Sequence, residues 1–253
     1  RPPRSTLFPY TTSSDLAGYP MPWKYPHAMI LAAGRGERLR PLTDHLPKPL
    51  IKIGDRCLIE HHLVALAQAG VDQVVINLAH LGDMIESHIG DGTRYGLSVV
   101  YSHEPEGALD TGGGIRQALR LITADPFVVL NGDIWTDLQL DSLPDGIDGQ
   151  GHLLLVDNPV HNPVGDFHLF GQKVLNQSVG NSVSLTFSGI GIFRHGLFDD
   201  SPQGRFPLAD LLRQAADGNQ LSGQFFPGKW IDVGTAERLS EARRLAIQQN
   251  CSR

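Results

Sequence analysis

The chain has 253 residues, of which 41% are hydrophobic and 19% are charged, and its formal net charge is −6. This composition is typical of one globular domain with a sizeable core. The negative charge argues against nucleic-acid binding, which requires a basic surface. Because no apolar run reaches the roughly 20 residues of a membrane-spanning helix, a membrane protein is not expected either.

The chain contains two cysteines, Cys57 and Cys251. They are far apart and lack the spacing of a disulfide framework, so we expect free thiols in a reducing compartment. The expected location is therefore cytoplasmic. No sequence pattern implies an obligate protein partner.

The first 27 residues are rich in Pro, Ser and Thr and show neither periodicity nor the apolar core of a signal peptide. We interpret residues 1–27 as a disordered leader or a non-native extension. The folded unit is predicted to be a single domain formed by residues 28–253.

Strand-like and helix-like segments alternate from residue 28 onward. Continuous apolar runs predict buried strands, and apolar residues at helical spacing predict amphipathic helices. The predicted strands are 28–33, 73–79, 97–102 and 126–133. The predicted helices between them are 58–70, 81–90 and 114–122. This alternation predicts a parallel sheet with helices on both faces.

Shorter strand candidates follow after about residue 143, at 152–157, 166–170, 173–176 and 184–193. Two predicted helices close the chain, at 206–218 and 235–249. We expect residues 28–143 to form a nucleotide-binding half and residues 144–253 to form the walls for a second substrate, within one shared sheet. The predicted fold class is α/β, with a Rossmann-like, three-layer α/β/α arrangement around a mixed, mostly parallel sheet.

The segment LAAGRGERLRPLT, residues 31–43, places a glycine-rich loop directly after the first predicted strand. In such folds ligands bind beyond the carboxyl ends of parallel strands. Gly34 and Gly36 let backbone N–H groups approach phosphate oxygens closely. The cations beside this loop are Arg35, Arg38, Arg40 and Lys48. The spacing matches neither a P-loop nor a dinucleotide fingerprint, and an ordinary surface loop is the alternative.

Two aspartates follow short apolar stretches, Asp133 in VVLNGD and Asp232 in GKWIDVGT. At the carboxyl end of a strand, each can hold Mg²⁺ together with substrate phosphates. Two aspartates on separate strands can share one such ion. For Asp133, an N-cap of the following turn is the alternative.

Three glycines, Gly112 to Gly114, lie just ahead of a predicted helix in the segment DTGGGI. They either loosen a tight turn or let the backbone lie flat against a base and contact its edge. The residues alone leave both interpretations open.

The motifs LAAGRGERLRPLT, PKPL, NGD and WIDVGT together resemble the sugar-1-phosphate nucleotidylyltransferases, from Ala28 to Leu245. Within that family, ALDTGGGI, NGDIWTD and LVDNPVHNPVGDF are most similar to the branch that uridylates N-acetylmuramate 1-phosphate in peptidoglycan recycling. The resemblance implies Mg²⁺-dependent transfer of a nucleotide from a nucleoside triphosphate, UTP in that branch, to a sugar 1-phosphate. Pyrophosphate is the second product.

The resemblance also implies roles for individual residues. Arg38 is expected to hold the leaving phosphates and Lys48 the reacting phosphoryl oxygens, while Asp133 and Asp232 are expected to hold Mg²⁺. The residues expected to bind the nucleotide are Leu31, Ala32, Ala33, Gly34, Gly36, Thr111, Gly112 and Gly113. The residues expected to bind the sugar phosphate are Asn131, Asp157, Asn158 and Gly189.

One triplet departs from the pattern of the family. Many relatives that act on glucose 1-phosphate have Glu-Lys-Pro where this chain has Asp157-Asn158-Pro159. Loss of the lysine removes a cation expected on the sugar phosphate, so glucose 1-phosphate is a less expected substrate. Alternatives are mannose, heptose or glucose 1-phosphate with GTP or dTTP, and a non-catalytic sensor of sugar nucleotides. The retained cations and carboxylates favour an enzyme over a sensor.

Overall fold

The computed structural model describes residues 24–105 and 109–251. Its strands are β1 (His27–Leu31), β2 (Lys52–Ile53), β3 (Arg56–Cys57), β4 (Gln73–Leu78), β5 (Ser98–His103), β6 (Phe127–Asn131), β7 (Ile134–Thr136), β8 (Gly151–Val156), β9 (Phe167–Phe170), β10 (Lys173–Leu175), β11 (Val183–Phe193), β12 (Leu221–Phe225) and β13 (Trp230–Asp232). Its α-helices are α1 (Leu58–Ala69), α2 (Gly82–Ile89), α3 (Asp110–Ala118), α4 (Leu208–Asp217) and α5 (Ala236–Cys251). Among these residues, no helix is both long and apolar enough to cross a bilayer.

Nine strands form one mixed sheet in the order β5-β4-β1-β6-β11-β8-β12-β10-β9. The strands β5, β4, β1 and β6 are mutually parallel, so their carboxyl ends meet at one edge. Strand β11 runs antiparallel to both of its neighbours, β6 and β8, and β12 returns parallel to β8. The predicted α/β fold with a mixed sheet is confirmed.

Helices cover both faces of this sheet because side chains along a strand alternate between its faces. On β1, Ala28 and Ile30 are buried in the same cluster as Leu63 of α1. Met29, between them, is buried in the opposite cluster with Ile115 of α3. The result is the predicted three-layer arrangement of helix, sheet and helix.

A third apolar cluster lies outside the main sheet and positions the second predicted aspartate. Strand β13 pairs antiparallel with β7, which directly follows the turn after β6. Trp135 of β7 and Ala242 of α5 are both buried in this cluster. The packing of α5 therefore holds the carboxyl end of β13 beside the carboxyl end of β6.

The predicted segments from residue 28 to residue 133 occur in the structure as β1, α1, β4, α2, β5, α3 and β6. The predicted start of the third helix, at residue 114, is wrong, because α3 begins at Asp110 and includes all three glycines. Strands β2, β3, β7, β12 and β13 were not predicted. Four of them have two or three residues, which is too short to show periodicity. The division of the chain at residue 143 stays a prediction.

The predicted leader of residues 1–27 is wrong for its last four residues, and residues 1–23 lie outside the described part of the chain. Tyr25 is 1% exposed and belongs to the cluster under α1. Its hydroxyl donates a hydrogen bond to the carbonyl of Pro144 at 2.5 Å. The carbonyl of Pro26 accepts hydrogen bonds from the N–H groups of Asp72 and Gln73, which extends the pairing of β1 with β4.

Truncation of Tyr25 tests this boundary. We expect Tyr25→Ala to lower the free energy of unfolding by about 3–5 kcal/mol, because it leaves a cavity in the core. Tyr25→Phe removes only the hydroxyl and should cost about 1 kcal/mol. Lys24→Ala, which removes an exposed ion pair with Asp145, is the control and should change stability by less than about 0.5 kcal/mol. Urea unfolding measures all three, and equal midpoints for Tyr25→Ala and Lys24→Ala would place the boundary at residue 28 after all.

Candidate active site

A cavity of about 580 Å³ opens at the carboxyl ends of β1 and β6. This is the edge of the sheet at which parallel α/β folds bind ligands. The residues that line it are Leu31, Ala32, Ala33, Gly34, Gly36, Glu37, Arg38, Lys48, Pro49, Asn77, Glu104, Asp110, Thr111, Asn131, Gly132, Asp133 and Gly234. Ten of the predicted site residues are in this set: Leu31, Ala32, Ala33, Gly34, Gly36, Arg38, Lys48, Thr111, Asn131 and Asp133.

The loop after β1 forms one wall of the cavity and is held at both of its ends. At its start, the N–H of Ala32 donates to Asn77 Oδ1 of β4 at 2.8 Å. Further along, the hydroxyl of Thr43 donates to the carbonyl of Gly36 at 2.9 Å. Between these anchors Gly34 is exposed and faces open space. A fixed loop with an uncovered backbone can offer its N–H groups to an anionic ligand without first having to become ordered.

Lys48 and Asp133 form an ion pair that also lines the cavity. The distance from Lys48 Nζ to Asp133 Oδ2 is 2.6 Å, and the two side chains are 8% and 37% exposed. Asp133 follows the turn after β6, which is tied to the end of β1 by a hydrogen bond from the N–H of Gly132 to the carbonyl of Leu31. The lysine is thus a nearly buried cation whose partner faces the cavity. A phosphate oxygen is a chemically equivalent partner for it.

Asp232 lies next to Asp133 through the pairing of the two short strands. It stands opposite Ile134 in the ladder, and the N–H of Val233 donates to the carbonyl of Asp133 at 2.8 Å. Its Oδ1 accepts a hydrogen bond from Arg238 Nη1 at 2.7 Å. The side chain of Asp232 does not line the cavity itself.

The two aspartates fit a magnesium site. Asp133 pairs with Lys48, and Asp232 pairs with Arg238 and also contacts His161 Nε2 at 3.2 Å. Mg²⁺ is usually bound by one or two carboxylates together with phosphate oxygens of a substrate. Asp133 in the turn before β7 and Asp232 at the end of β13 can supply the two carboxylates of this donor set.

Two polar residues that sequence reasoning missed lie at the far end of the cavity. Asn77 is the penultimate residue of β4, and its Nδ2 donates to Glu104 Oε1 at 2.6 Å. Glu104 follows β5, and its Oε2 accepts a hydrogen bond from the N–H of Leu109 at 2.7 Å. Both are polar residues at the carboxyl end of a predicted strand, the same signal that pointed to Asp133. The rule was therefore available but was not applied to these two strands.

His62 of α1 is buried beneath the turn that carries Asp133. Burial lowers the pKa of His62 to about 4, although the charge of Asp133 opposes this shift. The imidazole is therefore neutral at pH 7 and adds no positive charge under the site.

Comparison with known proteins agrees with this geometry. The sequence profile described as "Nucleotidyl transferase" matches residues 27–156, slightly more than half of the chain. The chain belongs to the nucleotidyl transferase family. It is 49% identical to the N-acetylmuramate alpha-1-phosphate uridylyltransferase of Neisseria meningitidis serogroup B over 227 residues, which cover 87% of this chain and 97% of that protein. It is 32% identical to the enzyme of the same name from Caulobacter vibrioides over 233 residues, 87% of this chain and 96% of that protein.

The fold is shared with solved structures as well. The inositol-1-phosphate CTP transferase from T. maritima aligns with a TM-score of 0.75 and 16% identity, over 90% of this chain and 97% of that one. This confirms the Rossmann-like α/β class. The family match and the two relatives confirm the predicted resemblance, and this nucleotidyl transferase acts on a sugar 1-phosphate.

Gly112 and Gly113 of this nucleotidyl transferase are not at the cavity. Their N–H groups both donate to the carbonyl of Phe206, at 3.0 and 3.1 Å. A Cβ atom on Gly112 would lie 2.3 Å from the ring of Phe206, and one on Gly113 would lie 2.2 Å from the carbonyl of Gly204. The structure therefore shows close packing of α3 against the segment before α4, and a contact of these two residues with a base stays a prediction.

Asp157 and Asn158 are also not brought to the cavity. Asp157 is exposed. Asn158 ties the end of β8 to β11, because its Oδ1 accepts from the hydroxyl of Thr186 at 2.9 Å and its Nδ2 donates to the carbonyl of Ser184 at 3.2 Å. The amide of Asn158 is thus a structural crosslink between the end of β8 and β11.

Gly189 packs against Asn131, which lines the cavity. It lies where the pairing of β11 with β8 shifts register, and its φ is +81°. A Cβ atom there would lie 2.5 Å from Asn131 Nδ2, and Asn131 lines the cavity. Glycine at this position lets β11 approach the predicted sugar-phosphate residue closely.

Alanine substitutions at Gly112 and Gly34 test which glycine is required for packing and which one only leaves space beside the cavity. We expect Gly112→Ala to lower the free energy of unfolding by about 1–2 kcal/mol, because the clash with Phe206 outweighs the better helix propensity of alanine. Gly34→Ala places its methyl group in open space and should change stability by less than about 0.5 kcal/mol. Urea unfolding measures both. If Gly112→Ala keeps full stability and instead weakens nucleotide binding, the packing explanation is wrong.

Proposed function

We propose that this nucleotidyl transferase joins UTP to N-acetylmuramic acid 1-phosphate, giving a uridine nucleotide sugar and pyrophosphate. The observation that carries the proposal is the 49% identity, over almost the full length of both chains, to an enzyme named for this reaction. N-acetylmuramic acid is a sugar of peptidoglycan, so the proposed role is peptidoglycan recycling. The cavity supports the proposal because its walls combine exposed backbone, cations and carboxylates at one strand edge.

The reaction needs positioning and charge neutralisation more than covalent chemistry. An oxygen of the sugar 1-phosphate attacks the α-phosphorus of UTP, a new P–O bond forms, and the bond to the pyrophosphate leaving group breaks. The attacking phosphate is already ionised at neutral pH, so no general base is required. We assign Arg38 to the leaving phosphates and Lys48 to the reacting phosphoryl group, because both line the cavity.

Lys48 is suited to stabilise charge that grows during transfer. Its side chain is 8% exposed, so water screens its charge poorly. In the ligand-free protein Asp133 neutralises it at 2.6 Å. When phosphate arrives, Lys48 can exchange its carboxylate partner for a phosphoryl oxygen. Mg²⁺ held by Asp133 and Asp232 would neutralise phosphate charge and polarise the phosphoryl oxygen.

At the other end of the cavity, we assign Glu104 to the base. Its carboxylate is fixed by Asn77 and by the N–H of Leu109, and it offers free lone pairs to a donor. The imide N–H of uracil is such a donor. Guanine carries an N–H and an amino group on one edge, so this contact is also compatible with GTP, and the nucleotide must be tested directly.

A substrate panel tests the proposed function. The panel combines each of four nucleotides (UTP, GTP, CTP and dTTP) with each of four sugar 1-phosphates (those of N-acetylmuramic acid, mannose, heptose and glucose). We expect the fastest pyrophosphate release from UTP with N-acetylmuramic acid 1-phosphate. The ranking should appear in kcat/KM, which measures discrimination between substrates. A higher kcat/KM with GTP and mannose 1-phosphate would show that these are the substrates and that the proposed ones are wrong. No turnover with any pair would favour a sensor.

Substitution of the two cations tests their assigned roles. Lys48→Met keeps the length of the side chain and removes the charge, and we expect it to cost about 2–4 kcal/mol in transition-state stabilisation, about 30- to 1,000-fold in kcat/KM. Arg38→Lys keeps a charge but loses the forked geometry and should also be clearly impaired. Arg35→Lys is the control, because Arg35 is exposed and does not line the cavity. Equal, minor losses in all three variants would show that this loop is an ordinary surface turn.

A further inference from the structure

A second group of ligand-type side chains lies away from the candidate active site. It consists of Cys57 at the end of β3, Glu60 in the first turn of α1 and His88 in the last turn of α2. Among the residues that the structure describes, these form the one group of three Cys, His, Asp or Glu side chains whose ligand atoms all lie within 4.8 Å of one another. They line a cavity that shares no residue with the active-site cavity.

The distances from His88 Nε2 to Cys57 Sγ and to the nearer carboxylate oxygen of Glu60 are close to those in a tetrahedral zinc site. With zinc bonds of about 2.3 Å to sulfur and about 2.0–2.1 Å to nitrogen and oxygen, tetrahedral ligands stand about 3.5 Å (S to N) and about 3.3 Å (N to O) apart. The observed distances are 3.6 Å from Cys57 Sγ to His88 Nε2 and 3.3 Å from His88 Nε2 to Glu60 Oε1. Cys57 Sγ is 3.0 Å from the other carboxylate oxygen, Glu60 Oε2, as a thiol hydrogen bond requires. The sulfur and the imidazole therefore contact different oxygens of Glu60, and the carboxylate must shift when a zinc ion binds.

We propose that Cys57, Glu60 and His88 bind Zn²⁺, with the fourth position open to the second cavity. A thiolate, an imidazole and a carboxylate together suit Zn²⁺, whereas Mg²⁺ prefers oxygen ligands alone. Binding replaces the thiol proton of Cys57, which leaves to solvent, by the ion. The carboxylate of Glu60 then changes from a hydrogen-bond acceptor into a ligand.

Neighbouring groups hold the ligands in place before any ion arrives. Glu60 Oε1 accepts hydrogen bonds from the hydroxyl of Tyr95 at 2.8 Å and from Arg94 Nη2 at 3.2 Å. Glu60 Oε2 accepts from the backbone N–H of Cys57 at 2.9 Å, which also caps α1. Partners that orient a ligand from its outer side are a regular feature of metal sites. The guanidinium of Arg94 contacts Glu60, and its charge offsets the second negative charge that a thiolate adds.

Access and location point to a structural role for the ion. Cys57 is buried while the side chain of His88 is 44% exposed, so an ion can enter from the side of α2. The ion would tie the end of α2 to the start of α1, which directly follows β3. We therefore expect Zn²⁺ to raise the melting temperature, because it binds the folded chain more tightly than the unfolded one.

Cobalt is the probe that tests this site. Titration of the full, metal-free chain with Co²⁺ should give one equivalent of a near-ultraviolet thiolate-to-cobalt charge-transfer band, and Zn²⁺ should remove it. Cys57→Ser should abolish the band, while serine, a preferred N-cap, keeps the start of α1. Cys251→Ser, which removes the other cysteine of the chain, is the matched control and should keep the band. Absence of the band in the unmodified chain, or its persistence in Cys57→Ser, would overturn the proposal.

Variants at the exposed ligand keep the test decisive if Cys57→Ser fails to fold. We expect His88→Gln to weaken Co²⁺ binding by about tenfold or more and to abolish the rise in melting temperature with Zn²⁺. His103→Gln is the control, since His103 is 61% exposed and pairs with Glu86 outside the cluster. Equal Co²⁺ affinity and an equal Zn²⁺-dependent rise in melting temperature in both variants would show that His88 is not a ligand and would overturn the site.

Discussion

The ion pair between Lys48 and Asp133 is the interaction on which the rest of the site depends. Burying a charge is unfavourable unless a partner compensates for it, so a lysine that is 8% exposed requires a carboxylate at its amine. The pair joins two segments that are 85 residues apart in sequence, the turn after β6 and the short helix that follows the glycine-rich loop. Such a pair contributes little net stability. Its value lies in holding a poorly hydrated cation where a phosphoryl group can reach it.

A second pair repeats this arrangement on the neighbouring strand. Arg238 of α5 holds Asp232 as Lys48 holds Asp133, so two cations and two carboxylates balance one another before substrate arrives. Under the proposed function, a nucleoside triphosphate would bring negative charge and Mg²⁺ would bring positive charge, and we propose that both would bind by exchanging partners with these four groups. The small β7–β13 sheet and the packing of α5 bring the second pair to the first. The third apolar cluster thus positions Asp232 and Arg238 in addition to stabilising the fold.

Sequence reasoning located those parts of the fold and site whose signal is local. Strand β1 and helix α1 carry clear apolar patterns, and Asp133 follows a buried strand. The missed features depend on tertiary contacts. The sequence does not distinguish Gly112 from a loop glycine, because Phe206, which packs against it, is far away in the chain. Likewise, Tyr25 lies in a segment of polar composition, and only the structure shows that it is buried. Glu104 and Asn77, by contrast, follow the same strand-end pattern as Asp133, and the structure adds the hydrogen bond that joins them.

The most direct test of the account is turnover of Asp133→Asn with UTP, N-acetylmuramic acid 1-phosphate and saturating Mg²⁺, measured by pyrophosphate release. Asparagine has nearly the same size but removes the charge that would hold Mg²⁺. We propose that this change lowers kcat by about a thousandfold, equivalent to about 4 kcal/mol, while circular dichroism shows an intact fold. A kcat within about threefold of the unmodified enzyme, equivalent to less than about 1 kcal/mol, would contradict the central role of this strand-end carboxylate.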